Sequence, residues 1–314
     1  MLDTPSAIFV ITNCTALKRC RSAVAPSLSA VSGVPSLRFS TWIRTCEAAT
    51  PKLPAVERYM GDSWNQALGA VDALKAHFCR TGFLVASAGF GLIPSDTPIP
   101  DYSATFAFGD PNSVSCTGAG NREWWDRLVA NRQKLGEPGS LTNLALKNPK
   151  AIFLVSLSAV YLHALLCDLN GVRNVMSDPN RLIIVSSGAG KIPALGQSLL
   201  PLDARFEHLV GGARATLNNR LLKYIAQHFT PDQLRAEVLS AALSKKDETL
   251  APARSFDRER STDESLLTRI RTDLERSPRH SASSLLRVYR DAGLACERKR
   301  FARLFALSST AIYS

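Results

Sequence analysis

The chain lacks any run of about 18 uncharged apolar residues, the length a membrane-crossing helix requires. Its longest apolar stretch, Ala151–Leu166, is interrupted by Ser156, Ser158 and His163 and reads as a buried strand running into a helix. No membrane partner is expected. Paired cysteines are also missing: the seven thiols (14, 20, 46, 79, 116, 167 and 296) form no Cys-x-x-Cys and are odd in number, which suits reduced thiols in a cytoplasmic protein. The five histidines (77, 163, 208, 228 and 280) stand near no cysteine pair, so no metal site is expected. Between Thr15 and Cys46 there is no acid, while five basic residues and many serines gather there. That composition imitates a transit peptide, but it follows a core-like strand, so it reads as a basic loop with a short helix. A Walker A motif is excluded at Ser186–Lys191, because Val185 stands where its first glycine belongs and Ile192 replaces Ser/Thr. No catalytic triad and no carboxylate pair is legible.

What the chain has in excess is positive charge. Its 314 residues carry 38 Lys and Arg against 27 Asp and Glu, a formal net charge of +11. Such a surplus concentrates polyanions at the surface, or reflects scattered lysines and arginines on a basic enzyme. With 45% hydrophobic residues the chain can bury a core without disulfides or metal.

The pattern along the chain is α/β. Ala7-Ile-Phe-Val-Ile11 reads as a buried strand opening onto a loop at Thr12-Asn13-Cys14. Val56–Thr81 has helical spacing, with Trp64, Ala67, Leu68, Val71, Leu74 and Phe78 on one face and Gly82 as its stop. Phe83-Leu-Val-Ala-Ser87 is a second strand, and the Gly- and Pro-rich stretch through Pro100 reads as a shaped loop. Helices are expected at Arg122–Leu135, Ser140–Leu146, Arg214–Phe229 and Pro231–Ser244. Ser87-Ala-Gly-Phe-Gly-Leu-Ile-Pro94 is echoed by Ser186-Ser-Gly-Ala-Gly-Lys-Ile-Pro193, each copy after an apolar strand and before an aspartate, Asp96 or Asp203. Two strand–loop units facing one cleft are expected from this echo. The spacing divides the chain into an α/β domain over 1–244, a charged linker over 245–264 and a basic helical module over 265–314. In that module Ser265–Arg276, Ala282–Ala292 and Cys296–Leu307 read as helices, the last two joined around Gly293 like a helix-turn-helix.

Several groups have chemistry to offer. Cys14, at the end of the first strand and close to Lys18, Arg19 and Arg21, is either a packing residue or a nucleophile activated by cations. Ser87, Asp96 and Tyr102 edge a preorganised loop in which Asp96 can act as acid or base, or the loop is simply a rigid connection. Glycine loops at strand ends bare backbone N–H groups, which places Gly89, Phe90 and Ser187 among candidate substrate contacts, with Thr12 and Asp203. Trp124 and Trp125 are core residues or stacking platforms for unpaired bases. On the last helix Arg298, Lys299, Arg300 and Arg303 crowd one side while Leu294, Phe301, Leu304 and Phe305 can turn inward. Arg287 and Arg290 add to this candidate DNA-binding patch, and Lys18, Arg19 and Arg21 are further candidate DNA contacts.

The strand ending in Thr12-Asn13-Cys14, a helix near Tyr59–Ala67, and Ser87-Ala-Gly-Phe-Gly-Leu92 followed by Asp96, Pro98 and Tyr102 resemble the YaaA-like superfamily. The match covers roughly the first 110 residues and implies a YaaA-like mixed-sheet core and DNA-related roles. The whole chain, with Leu200-Pro-Leu-Asp-Ala-Arg205 and its C-terminal helices, is similar to the DpdC family of clusters that place 7-deazaguanine bases in DNA. That resemblance implies hydration of the nitrile of 7-cyano-7-deazaguanine, already in DNA, to the carboxamide. Other proteins of the modification cluster are the implied partners. No motif is matched residue by residue in the second half, so no role is carried onto it. Nitrile hydration needs an attacking water or thiolate and a proton donor to nitrogen. With no cysteine cluster for a metal, a metal- and cofactor-free route is expected: Cys14 attacking, Asp96 handling the proton, and Asn13 or a loop N–H stabilising nitrogen. A non-catalytic DNA-binding or stress-response protein and a glycosylase-type enzyme are the competing readings.

Overall fold

The computed structural model describes residues 7–20, 22, 24–253, 258–277 and 280–313, apart from the side chains of residues 299 and 310–313. The chain divides between residues 253 and 254 into two units, each described by itself.

The first unit is built on five strands: β1 (Ala7–Asn13), β2 (Arg80–Ser87), β3 (Gly91–Pro94), β4 (Ile152–Ser156) and β5 (Leu182–Val185), in the spatial order β3-β2-β1-β4-β5. Four run parallel and β3 is antiparallel, so the sheet is mixed. The apolar runs Ile8–Ile11, Leu84–Ala86, Ile152–Val155 and Leu182–Val185 are buried throughout, as strands covered on both faces must be. Their helices are α1 (Pro35–Ala48), α2 (Asp62–Lys75), α3 (Gly118–Lys134), α4 (Leu141–Lys147), α5 (Ala159–Ala164), α6 (Leu166–Val175), α7 (Leu217–His228) and α8 (Ala236–Asp247). Helices α2 and α7 pack on each other and on the sheet, α3 packs on β3 and α5, and α4 packs on α6. Among the described residues no helix is long and apolar enough to cross a membrane.

Several sequence expectations are corrected here. The basic stretch before Cys46 holds a full helix, α1, which buries Trp42 and Cys46, and Arg38 on it donates to the carbonyls of Leu28, Val31, Ser113 and Val114. Gly82 does not stop a helix: α2 ends at Lys75, and Gly82 lies inside β2, where a Cβ would come within 2.5 Å of the Phe9 ring. The Ser87–Pro94 stretch is a hairpin rather than a loop. Residues 88–90 turn, and Gly91, at φ +75°, supplies the left-handed residue that a three-residue hairpin loop needs. Its echo at 186–193 leaves β5 for a 3-10 helix at Pro193–Ser198, so the two copies fold differently. The echo is one of composition.

After β1 the chain crosses to β2 on one side, whereas after β4 it crosses to β5 on the other. This reversal falls at the C-terminal ends of β1 and β4, the position at which sheets of this kind bind their ligands. Directly beneath it, Asn219 on α7 accepts from Thr12 Oγ1 (3.2 Å) and Ser156 Oγ (2.5 Å) and donates to Ser63 O and Oγ on α2. One carboxamide thus joins two strands and two helices.

The second unit contains β6 (Glu259–Arg260), α9 (Asp263–Arg276), α10 (Ala282–Asp291), β7 (Leu294–Ala295) and α11 (Arg298–Tyr313). Its own core collects Leu266, Ile270, Leu274, Leu285, Tyr289, Phe301 and Leu304. Gly293, at φ +82°, ends α10, and the short β6–β7 pairing precedes α11.

Replacing Asn219 by Ala leaves the buried Thr12 and Ser156 hydroxyls short of a partner, with an expected loss of about 2–4 kcal/mol of stability. All four tryptophans lie in the first unit, so their fluorescence during denaturant unfolding reports on that unit alone. A change below about 0.5 kcal/mol, within the range of an ordinary surface substitution, would show that the carboxamide is not a structural tie.

Candidate active site at the head of the first strand

Cys14 follows β1 directly, its N–H donating to Ala86 O at 3.0 Å to extend the ladder to β2 by one residue. Its sulfur lies 3.1 Å from the Tyr161 hydroxyl on α5, across the point where the crossovers reverse. Tyr161 is held there by the edge-on Phe106 ring, 4.9 Å away between centroids. Asn13 locks the same junction, accepting from Ser158 N and donating to Cys14 O, both at 3.0 Å.

A row of buried hydroxyls adjoins the thiol. Ser87 Oγ lies 2.7 Å from Tyr102 Oη, which lies 2.7 Å from Tyr59 Oη. Ser87 Oγ already accepts from the N–H groups of Gly89 (3.1 Å) and Phe90 (3.2 Å), so its own proton points to Tyr102. Gly89 is required because a Cβ would sit 2.6 Å from the Tyr102 ring. The turn is pinned from behind, with the Trp42 indole donating to Gly89 O and that of Trp124 to Ala88 O. Lys18 lies 4.2 Å above the Tyr102 ring centroid and donates to Thr15 O, its backbone bridged to Tyr59. A cation over the face of a buried aromatic ring is favourable, and here it brings positive charge into the cluster.

Burial pushes the phenols of Tyr59, Tyr102 and Tyr161 above their ordinary range, and proximity to Cys14 reinforces the effect on each. All three therefore remain proton donors at neutral pH. The arrangement can do nucleophilic chemistry at sulfur with a phenol to pass the proton, in a buried cluster that carries the Lys18 ammonium group.

The structure brings together Cys14, Ser87, Gly89, Phe90 and Tyr102 as the sequence suggested, with Asn13 beside them. It adds Tyr59, Tyr161, Asn218 and Asn219. Asn218 donates to Leu157 O and accepts from Ser187 N, tying the ends of β4 and β5. Nothing in the local sequence distinguished Asn218-Asn219 from an ordinary first helical turn. Tyr59 lay within the resembling stretch, but its pairing with Tyr102 depends on the third dimension.

Other candidates are moved. β3 runs back along β2, so Ser95 N bonds Phe83 O and Asp96 is exposed in the turn beyond the far end of the strand, away from Ser87. Asp203 is also exposed and paired with Arg205 at 2.7 Å, which holds its carboxyl below the usual range. Ser187 lies at the end of β5, with β4 between it and β1. Thr12 is completely buried and serves the Asn219 tie, and Asn13 is engaged with the backbone. Trp124 and Trp125 are core residues, 4% and 1% exposed, and offer no stacking face. Among the described residues no three His, Cys, Asp or Glu side chains converge as metal ligands.

The cations expected on DNA divide. Lys18 is buried in the phenol cluster, because its chain segment pairs with residues 58–60. Arg19 is exposed, while Arg21 and the Lys299 side chain lie outside the described residues. In the second unit Arg300 and Arg303 both bond Asp263, at 2.6 and 2.9 Å, and Arg290 donates to Cys296 O, so these three hold the helices together. Arg287 and Arg298 are exposed.

The class that fold and site define is an α/β protein with a mixed five-stranded sheet and a thiol–phenol cluster at its crossover reversal. Comparison with known proteins finds no matching family model, curated protein or solved structure.

Two measurements follow from the burial of these groups. A phenol with a raised folded pKa favours the folded state fully below its unfolded value of about 10, and each of the three then costs about 1.4 kcal/mol per pH unit above it. Absorbance at 295 nm should accordingly show the phenols of Tyr59, Tyr102 and Tyr161 ionising only as circular dichroism reports unfolding. Ionisation of more than three of the six tyrosines in the folded chain would contradict this burial. In thiol labelling, the exposed Cys20, Cys79, Cys116 and Cys167 should react first, with Cys46, which burial pushes up to about 12, far slower. Early modification of Cys46 would overturn its placement on the buried face of α1.

Proposed function

We propose that the first unit hydrates the nitrile of 7-cyano-7-deazaguanine in DNA to the carboxamide, with Cys14 as nucleophile and Tyr161 as proton carrier. The Cys14 Sγ···Tyr161 Oη contact at 3.1 Å, at the crossover reversal, carries this reading. The resemblance of Thr12–Cys14 and Ser87–Leu92 to the YaaA-like superfamily, and of the chain to the DpdC family, supports the substrate.

The thiol adds across the C≡N bond. An S–C bond forms, Tyr161 Oη gives its proton to the nitrile nitrogen, and the phenol recovers a proton from sulfur, leaving a thioimidate. Water then adds to the same carbon, the C–S bond breaks, sulfur takes back a proton, and the carboxamide leaves with one water gained. Lys18 offsets negative charge developing at sulfur. In a duplex the 7-substituent projects into the major groove, and an unpaired or flipped base reaches a crevice more deeply. Arg287 and Arg298 are the side chains proposed to hold phosphates.

A second reading, a DNA-binding protein without catalysis, is favoured by one observation. Ser87 and Tyr102 are fully buried and bonded to their neighbours, as members of a structural polar core would be.

Nucleoside mass spectrometry on DNA carrying 7-cyano-7-deazaguanine separates the two. The first reading expects a gain of one water on that nucleoside. It further expects a loss of at least roughly 100-fold in Cys14→Ser, of order 10²-fold in Tyr161→Phe, and an unchanged rate in Asp96→Asn. Bound DNA with no change of mass would remove the catalytic reading and leave the binding protein. Release of a free base would indicate a glycosylase.

A further inference from the structure

Phe106 separates the Cys14–Tyr161 pair from a second, unassigned feature. The Asn121 carboxamide on α3 donates to Phe106 O at 3.0 Å, and beyond it opens a cavity of about 680 Å³ walled by Phe108, Asn121, Arg122, Val160 and His163. That volume suits a small organic ligand. Three aspects of its wall point to the same chemistry. Asn121 is 2% exposed, yet its Oδ1 is buried without a hydrogen-bond partner among the described residues. An unfilled buried acceptor is costly, and a ligand N–H placed against it recovers that cost.

Arg122 supplies the second aspect. Its guanidinium lies over the first turn of α3, with Nη1 only 3.8 Å from where a Cβ on Gly118 would stand. A cation and the N-terminal end of a 17-residue helix therefore occupy the same place, which favours an anion. Glu123 does not neutralise it, being paired with Arg127 at 2.7 Å. Asp126, one turn on, does lie within the field of Arg122 and keeps the expected affinity modest. The third aspect is Phe108, an aromatic side chain 54% exposed at the cavity wall, where most large rings of this chain are buried. An uncovered ring beside a cation is a stacking platform for a heterocycle.

We infer that this cavity binds a nucleotide. Its heterocycle lies on Phe108, a ring N–H meets Asn121 Oδ1, and its phosphate rests on Arg122 at the start of α3, with His163 at the rim. Every standard base carries a donor on its Watson–Crick edge, and guanine offers two adjacent ones, N1–H and the 2-amino group, which gives it the most ways to meet the lone acceptor. The site is independent of sulfur chemistry at Cys14.

The test is a titration of the full chain with GMP and, separately, with a guanine-containing single-stranded oligonucleotide, followed by calorimetry. Arg122 and Phe108 are exposed, so Arg122→Ala and Phe108→Ala should fold as the parent does, which circular dichroism checks. Binding at least 10-fold weaker in Arg122→Ala and several-fold weaker in Phe108→Ala is expected, with Arg127→Ala and Cys14→Ser both binding as the parent. Saturable GMP binding with this pattern assigns a free nucleotide, and the same pattern with the oligonucleotide alone assigns a nucleotide of a strand. Absence of binding to either, or binding that Arg122→Ala and Phe108→Ala leave unchanged, overturns the inference. Because Cys14→Ser is expected to abolish hydration and to keep binding, failure of the hydration reading and failure of this one are distinguishable.

Discussion

A polar group taken out of water must find a partner, and the C-terminal edge of the sheet obeys this rule through one side chain in particular. Asn219 collects the hydroxyls of Thr12 and Ser156 from two adjacent strands and returns two hydrogen bonds to Ser63. Without that carboxamide, the buried hydroxyls near the ends of two β-strands would be left short of a partner beside α2 and α7. With it, Asn13, Cys14 and the start of α5 are fixed relative to one another, and the thiol–phenol pair can hold a geometry that neither strand defines alone.

The same logic accounts for the neighbouring cluster. Tyr59, Tyr102 and Ser87 come from three separate segments and satisfy one another in sequence, while Lys18 covers the central ring. A buried row of this kind is tightly specified, because each group depends on the next for its partner. It also explains why the turn at residues 88–90 needs Gly89 and two indole donors: the Tyr102 ring occupies the space a side chain would have filled.

Much of the architecture was legible from periodicity. The strands at Ala7–Asn13, Arg80–Ser87, Ile152–Ser156 and Leu182–Val185 stand out as apolar runs, and most helices show an inward stripe. What failed did so for identifiable reasons. The dense glycines and prolines of 88–100 concealed an antiparallel strand, because β3 is short and opens on Gly91, which takes the left-handed conformation at the end of the turn. That single misreading carried Asp96 to the wrong end of the sheet. Lys18 and Arg300 were read as surface cations since composition cannot tell an arginine facing phosphate from one facing Asp263. Of the site, Cys14, Ser87 and Tyr102 were legible as strand-end and loop residues. Tyr161, Tyr59 and Asn219 were not, because their roles arise only when distant segments meet.

The hydroxyl row has a direction. Since both acceptor positions of Ser87 are filled by peptide N–H groups, no donor can approach it from beyond, and it has nothing to receive from except its own turn. A Grotthuss-type chain needs two open ends, and this one is sealed at Ser87. The row is therefore a cul-de-sac: whatever proton enters by way of Tyr59 must leave by the same door. Its contribution to any chemistry nearby would be to tune the polarity at the strand ends, leaving through-traffic of protons between solvent and the sheet edge to the Tyr161 side.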